Sequence, residues 1–130
     1  FCLSRGLGDV YKRQVLRIIK EHSITRGAIE NMFFTGKIKT QVLSFYAKGV
    51  IFLAFEKSGV LCDEYNPRTV KRLICGNGNA SKKQVESFIR SMFGIKEKLY
   101  PDVSDAIAIG ITAARMYFLK RKLYDRISEG

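Results

Sequence analysis

The sequence has no tryptophan and only one histidine, His22, and these two scarcities exclude little. Cysteine is more informative. There are three, Cys2, Cys62 and Cys75. An odd number without ligand-like spacing argues against a disulfide framework and against a cysteine-held metal centre. They read as small core residues in a reducing compartment. No apolar run reaches the length that spans a bilayer. Acidic residues are also scarce, 12 against 23 Lys and Arg, for a net charge of +11. Such an imbalance points to a polyanionic partner, most commonly nucleic acid, with a membrane surface as the competitor. Hydrophobic residues make up 46% of the 130 positions, ordinary for one globular domain and too many for a disordered chain.

The first fourteen residues, FCLSRGLGDVYKRQ, show no periodicity and lead into nothing that follows. Asp9 to Gln14 matches a translated transposon-end sequencing adaptor, GAT GTG TAT AAG AGA CAG. Residues 1–14 are therefore set aside as a non-native scar. The native protein is expected to continue upstream, with residues 15–130 as part of a longer domain. The other reading of the segment is a natural polar arm.

Val15 to Glu21 reads as the last turns of a helix. Ala28 and Ile29 begin a short apolar strand that ends on Glu30. A carboxylate there is costly unless it has a cation or lies at the surface, and in open α/β sheets sites gather at strand C-termini. Of the adjacent Phe33 and Phe34, one must face away from the core if the backbone is extended. An exposed ring beside lysines can stack on a splayed base, or be covered by a loop or another subunit. Lys37 to Lys57 is a long helix that is apolar around most of its circumference. Its two faces need two partners, the sheet and a second copy of the chain, unless it is fully buried.

Val60 to Tyr65 reads as a strand. Asn66 caps a helix that begins at Pro67 and carries Arg68, Lys71 and Arg72. Gly76 and Gly78 allow a sharp turn. Ser81 and Gln84 have the spacing of a capping box, so the next helix begins near Lys82. Lys82 and Lys83 then crowd the positive end of that helix, which favours an anion bound there or simple solvation of both. Gly94 ends it.

The stretch YPDVSDAIAIGITAAR is the centre of the sequence. Pro101 suits a helix start, and Asp102 and Asp105 share one helix face. The following Ala/Ile run has no polar side, so this helix is expected to be buried all round. The two aspartates are either a pair at the lip of a site, or an N-cap and a first-turn residue in a favourable dipole. Beyond Arg115 the helix continues through the basic residues Lys120, Arg121, Lys122 and Arg126.

Taken together, IENMFF, YNPRTVKRLICGNGNASKKQV and YPDVSDAIAIGITAA resemble, in order and spacing, the bacterial RuvC Holliday junction resolvases. The resemblance implies an α/β, RNase H-like fold, here incomplete and lacking the first strands of the central sheet. It implies a homodimer that binds four-way junction DNA and nicks two strands, working beside the RuvA–RuvB branch migration complex in the bacterial cytoplasm, at the nucleoid. It implies divalent metal, magnesium or else manganese, on acidic residues that fall at Glu30, Asp102 and Asp105. Phe33 falls on the base-stacking aromatic. Lys71 and Lys82 fall on basic residues beside the active site, and Arg72 and Lys83 add to the DNA-binding surface. The family's first acidic residue, an aspartate in an Asp-Pro-Gly strand motif, has no counterpart here, so the resemblance implies that this chain by itself is inactive and that the activity belongs to the full-length protein. Two other readings stay open: a junction-binding module that does not cut, and an RNase H-like nuclease with another DNA substrate.

Overall fold

The computed structural model describes residues 2–31 and 38–128. The chain forms helix α1 (Cys2–Glu21), strand β1 (Arg26–Glu30), helix α2 (Ile38–Lys57), strand β2 (Leu61–Tyr65), and helices α3 (Pro67–Cys75), α4 (Lys82–Phe93) and α5 (Pro101–Ser128). β1 and β2 pair in a two-stranded sheet. The N–H just past β1, on Asn31, donates to the carbonyl of Tyr65 at the end of β2, 2.8 Å away. The two strand ends therefore lie side by side and the strands run parallel, with α2 in the crossover that parallel pairing requires.

The chain divides into two compact units, Phe1–Gly27 with Met32–Asp63, and Ala28–Asn31 with Glu64–Gly130. In the first, α1 packs on α2, and Ile19 and Ala54 are buried. Gly27 is needed where it stands, because a Cβ there would come within 2.5 Å of the Phe55 ring. Arg26 donates from Nε to Asp63 Oδ2 at 2.8 Å, bridging the two strands. Residues 2–14, set aside in the sequence as a scar, are helical and continuous with Val15–Glu21. Asp9 pairs with Lys12 and Arg13 at helical spacing, which supports the turn locally. The Lys12 hydrogen bond, then the Arg13 charge, hold the Asp9 carboxyl below its ordinary range. On α2, Leu43, Tyr46 and Leu53 remain exposed, and their spacing puts them on one stripe.

The second unit has a small core of Val70, Ile74, Ala80, Val85, Ile89 and Ala108. α3 and α4 pack on each other and both pack on α5. Local signals place these helices well. Asn66 accepts from the Arg68 N–H, Pro67 opens α3, and Gly76 ends it in the left-handed conformation at φ 75°. Gly94 closes α4 in the same way at φ 65°. The all-round burial expected of α5 is not found. Only Ser104, Ala108 and Thr112 are buried, while Ala106 and Gly110 are exposed. The physical reason is that α3 and α4 cover a single stripe at four-residue spacing. The stripe is made of small residues, which let the helices approach closely, and the Thr112 hydroxyl is satisfied by donating to the Ala108 carbonyl at 2.9 Å. Cys75 is half-buried against this core. Burial pushes its thiol up, against a smaller opposing pull from Lys71.

Candidate active site

Glu30 stands at the end of β1, held there by the Asn31–Tyr65 hydrogen bond. Lys71 lies midway along α3, Lys82 is the first residue of α4, and Asp105 lies in the second turn of α5. All four line one open cleft of about 180 Å³, with Pro67, Val70, Val85, Ala108 and Ile109 completing its walls. Residues separated by 75 positions of sequence thus meet at a common concavity. Val70, Val85 and Ala108 are also core residues, so the floor of the cleft is the packed interior of the unit.

Within the cleft the Lys82 ammonium lies 3.3 Å from Asp105 Oδ2, with 75% of the lysine side chain and 42% of the aspartate exposed. Water screens such a pair heavily, so it contributes little to stability and leaves the lysine free to change partner. What fixes its position is the helix start. Ser81 accepts from the Gln84 N–H at 3.2 Å, and Gln84 accepts in return from the Ser81 N–H at 2.8 Å. This reciprocal cap sets the first turn of α4, and with it Lys82, against α5. Ser81→Ala should cost about 1 kcal/mol, read as a lowered midpoint in thermal unfolding followed by circular dichroism.

The start of α5 is positioned from α4 as well. Glu86 Oε1 accepts from the Leu99 N–H at 3.1 Å. Arg90 donates to the Ile95 and Lys96 carbonyls. At the far end of α3, Arg115 donates to the Leu73 carbonyl. None of these tethers was singled out in the sequence, because each joins residues on separate elements and leaves no local pattern.

The other sequence candidates lie elsewhere. Asp102 is exposed in the first turn of α5, one turn before Asp105, and does not line the cleft. It lies inside the helix, so it is not the N-cap; the Ser104 N–H donates to the Tyr100 carbonyl. Lys83 is exposed on α4 and does not line the cleft either. Arg72 lines a different concavity, together with Arg68. Phe33 lies outside the described residues. Among the described residues, no three acidic, histidine or cysteine side chains come close enough to hold one metal ion.

The model of the family described as crossover junction endodeoxyribonuclease RuvC matches residues 3–113. The chain belongs to the RuvC family. A RuvC of Pelotomaculum thermopropionicum is 36% identical over 111 residues, 85% of this chain and 68% of that protein. A RuvC of Clostridioides difficile is 35% identical over 122 residues, 93% of this chain and 72% of its own. Among solved structures, Thermus thermophilus RuvC superposes with a TM-score of 0.77 at 28% identity, covering 87% of this chain and 70% of that one. The same protein in complex with a Holliday junction substrate gives 0.76 at 29% identity, covering 84% and 68%. The fold is accordingly RNase H-like and of RuvC type. The RuvC match begins at residue 3 and so includes part of the segment that the sequence set apart.

Proposed function

We propose that this chain carries the cleft of a structure-specific endonuclease that resolves Holliday junctions by metal-dependent phosphodiester hydrolysis. The observation that carries the reading is the convergence of Glu30 and Asp105 with Lys71 and Lys82 in one cleft. Two hydrated carboxylates fit magnesium, which binds through one or two carboxylates and substrate phosphates while keeping several waters. Glu30 and Asp105 would hold it, with Asp102, exposed one turn away on the same helix, as the third candidate donor. Manganese would suit the same oxygen donors. When bound, the metal supplies a bound water of lowered pKa and positive charge on the attacked phosphate.

The protein's own groups do the rest. Lys82 leaves Asp105 and turns its ammonium to the phosphate oxygen on which negative charge develops. Lys71 faces the same cleft and counters the repulsion between the two carboxylates and the incoming backbone. Lys83 and Arg72 contribute phosphate contacts outside it, and Phe33 is the base-stacking ring. The exposed stripe of Leu43, Tyr46 and Leu53 on α2 supports assembly as a homodimer. Such a dimer would carry two clefts, one for each strand to be cut. Partnership with RuvA–RuvB and a place in the bacterial cytoplasm at the nucleoid are carried over from the family resemblance.

A second reading is favoured by one observation, that only two carboxylates converge among the described residues. In that reading the chain binds the junction without cutting it. Incubation with a synthetic four-way junction and magnesium separates the two. Paired nicks at symmetric positions support the endonuclease, and a retarded complex without cut strands supports the binding module. Cleavage of flaps or plain duplex at the same rate as junctions would replace both with a less selective nuclease.

A further inference from the structure

α3 carries cations on two sides. Lys71 faces the cleft that holds Glu30 and Asp105. Arg68 and Arg72 are four residues apart and so share another side of the helix. They line a separate open concavity of about 240 Å³, closed by Gly76, Asn77, Gly78 and Asn79. No carboxylate lines it. Neither guanidinium belongs to an ion pair among the described residues.

The loop is built to lie against the helix. Gly76 takes φ 75°, which ordinary side chains avoid. Gly78 sits so close that a Cβ would come within 3.2 Å of the Arg68 carbonyl and 3.7 Å of an Arg72 Nη atom. Asn77 Oδ1 accepts from the Asn79 N–H at 2.9 Å, so the turn is held by its own side chain. Two guanidiniums without an ion pair among the described residues, beside a preformed glycine loop, make a polar, cationic recess with no carboxylate in its lining. Guanidinium forks match phosphate oxygens in pairs, which a lysine cannot do.

We infer that Arg68, Arg72 and the Gly76–Asn79 loop form a clamp for one backbone phosphate of the bound DNA, other than the phosphate attacked in the cleft. This rests on the reading of the chain as a junction-binding protein, and it extends the Arg72 contact of that reading to a built site that adds Arg68 and the loop. Because Lys71 and the arginine pair are on one nine-residue helix, the clamp sets the register of the strand that enters the cleft.

The test is binding of the full chain to a fluorescent four-way junction, and to duplex of the same sequence, across a salt series. R68A/R72A should reduce the slope of log affinity against log salt by about 1, the signature of one lost phosphate contact, and weaken both DNAs alike. R68K/R72K keeps the charge and loses the forks, so it should keep the slope and still bind about tenfold more weakly. Circular dichroism melts that match the unsubstituted chain tie these changes to the side chains. An unchanged slope in R68A/R72A, or full affinity in R68K/R72K, overturns the clamp and leaves only a diffuse basic surface. Failure of the unsubstituted chain to bind either DNA would instead sink the junction-binding reading itself.

Discussion

On the endonuclease reading, Asp105→Asn is expected to lower junction cleavage by at least about 100-fold while leaving junction affinity unchanged or slightly higher. Groups that merely orient a metal ligand are worth 10–100-fold when removed, so a direct oxygen donor is worth no less. The amide keeps the shape of the side chain, and Asp105 contributes little to stability through its exposed pair with Lys82. The variant should therefore fold normally. Affinity should hold or rise because one negative charge leaves a cleft that also contains Lys71 and Lys82. Single-turnover cleavage with magnesium, paired with fluorescence anisotropy, reads both effects. If the variant cuts as fast as the parent, Asp105 has no part in the chemistry.

Ile89→Ala is expected to destabilise the second unit by about 2–5 kcal/mol, the usual range for emptying a large aliphatic site in a core. Ile89 is 0% exposed, and its core neighbours include the small residues Ala80 and Ala108. These have no long side chains with which to fill the gap. The unfolding midpoint should drop by at least about 8 °C. Ile89→Val, which removes a single methylene, should cost only about 0.5–1.5 kcal/mol. Equal melting curves for the two substitutions would mean that this core is loosely packed.

The sequence was most legible where a signal is local. Asn66 with Pro67, Ser81 with Gln84, and Gly94 each mark a helix end through a hydrogen bond or a backbone angle that their own neighbours complete. The strand ending on Glu30 was legible from the short apolar run of Ala28 and Ile29 before it, although its end is held from a distance by Tyr65. The burial of α5 was not. An Ala/Ile run reads as apolar all round, but burial depends on which neighbours arrive, and only the Ser104, Ala108 and Thr112 stripe was met. The helix over residues 2–14 was hidden as well. Two glycines and the absence of an apolar stripe weaken its pattern, and the Asp9 pairs with Lys12 and Arg13 matter only once the turn exists. The meeting of Glu30 with Asp105 was suggested by family resemblance and by no spacing, since nothing local encodes a contact across 75 positions. Arg68 was visible as a helix residue, yet its recess with Arg72 needs the glycine loop folded back against them.

The side chains under the carboxylates have two tenants to satisfy. Val70, Val85 and Ala108 face both the hydrophobic interior and the water above it. A change at any of them alters the ground on which the charged groups stand as well as the seal beneath. Heat, pressure or mutation that loosens this shared partition will therefore also shift the spacing of the charged groups above it.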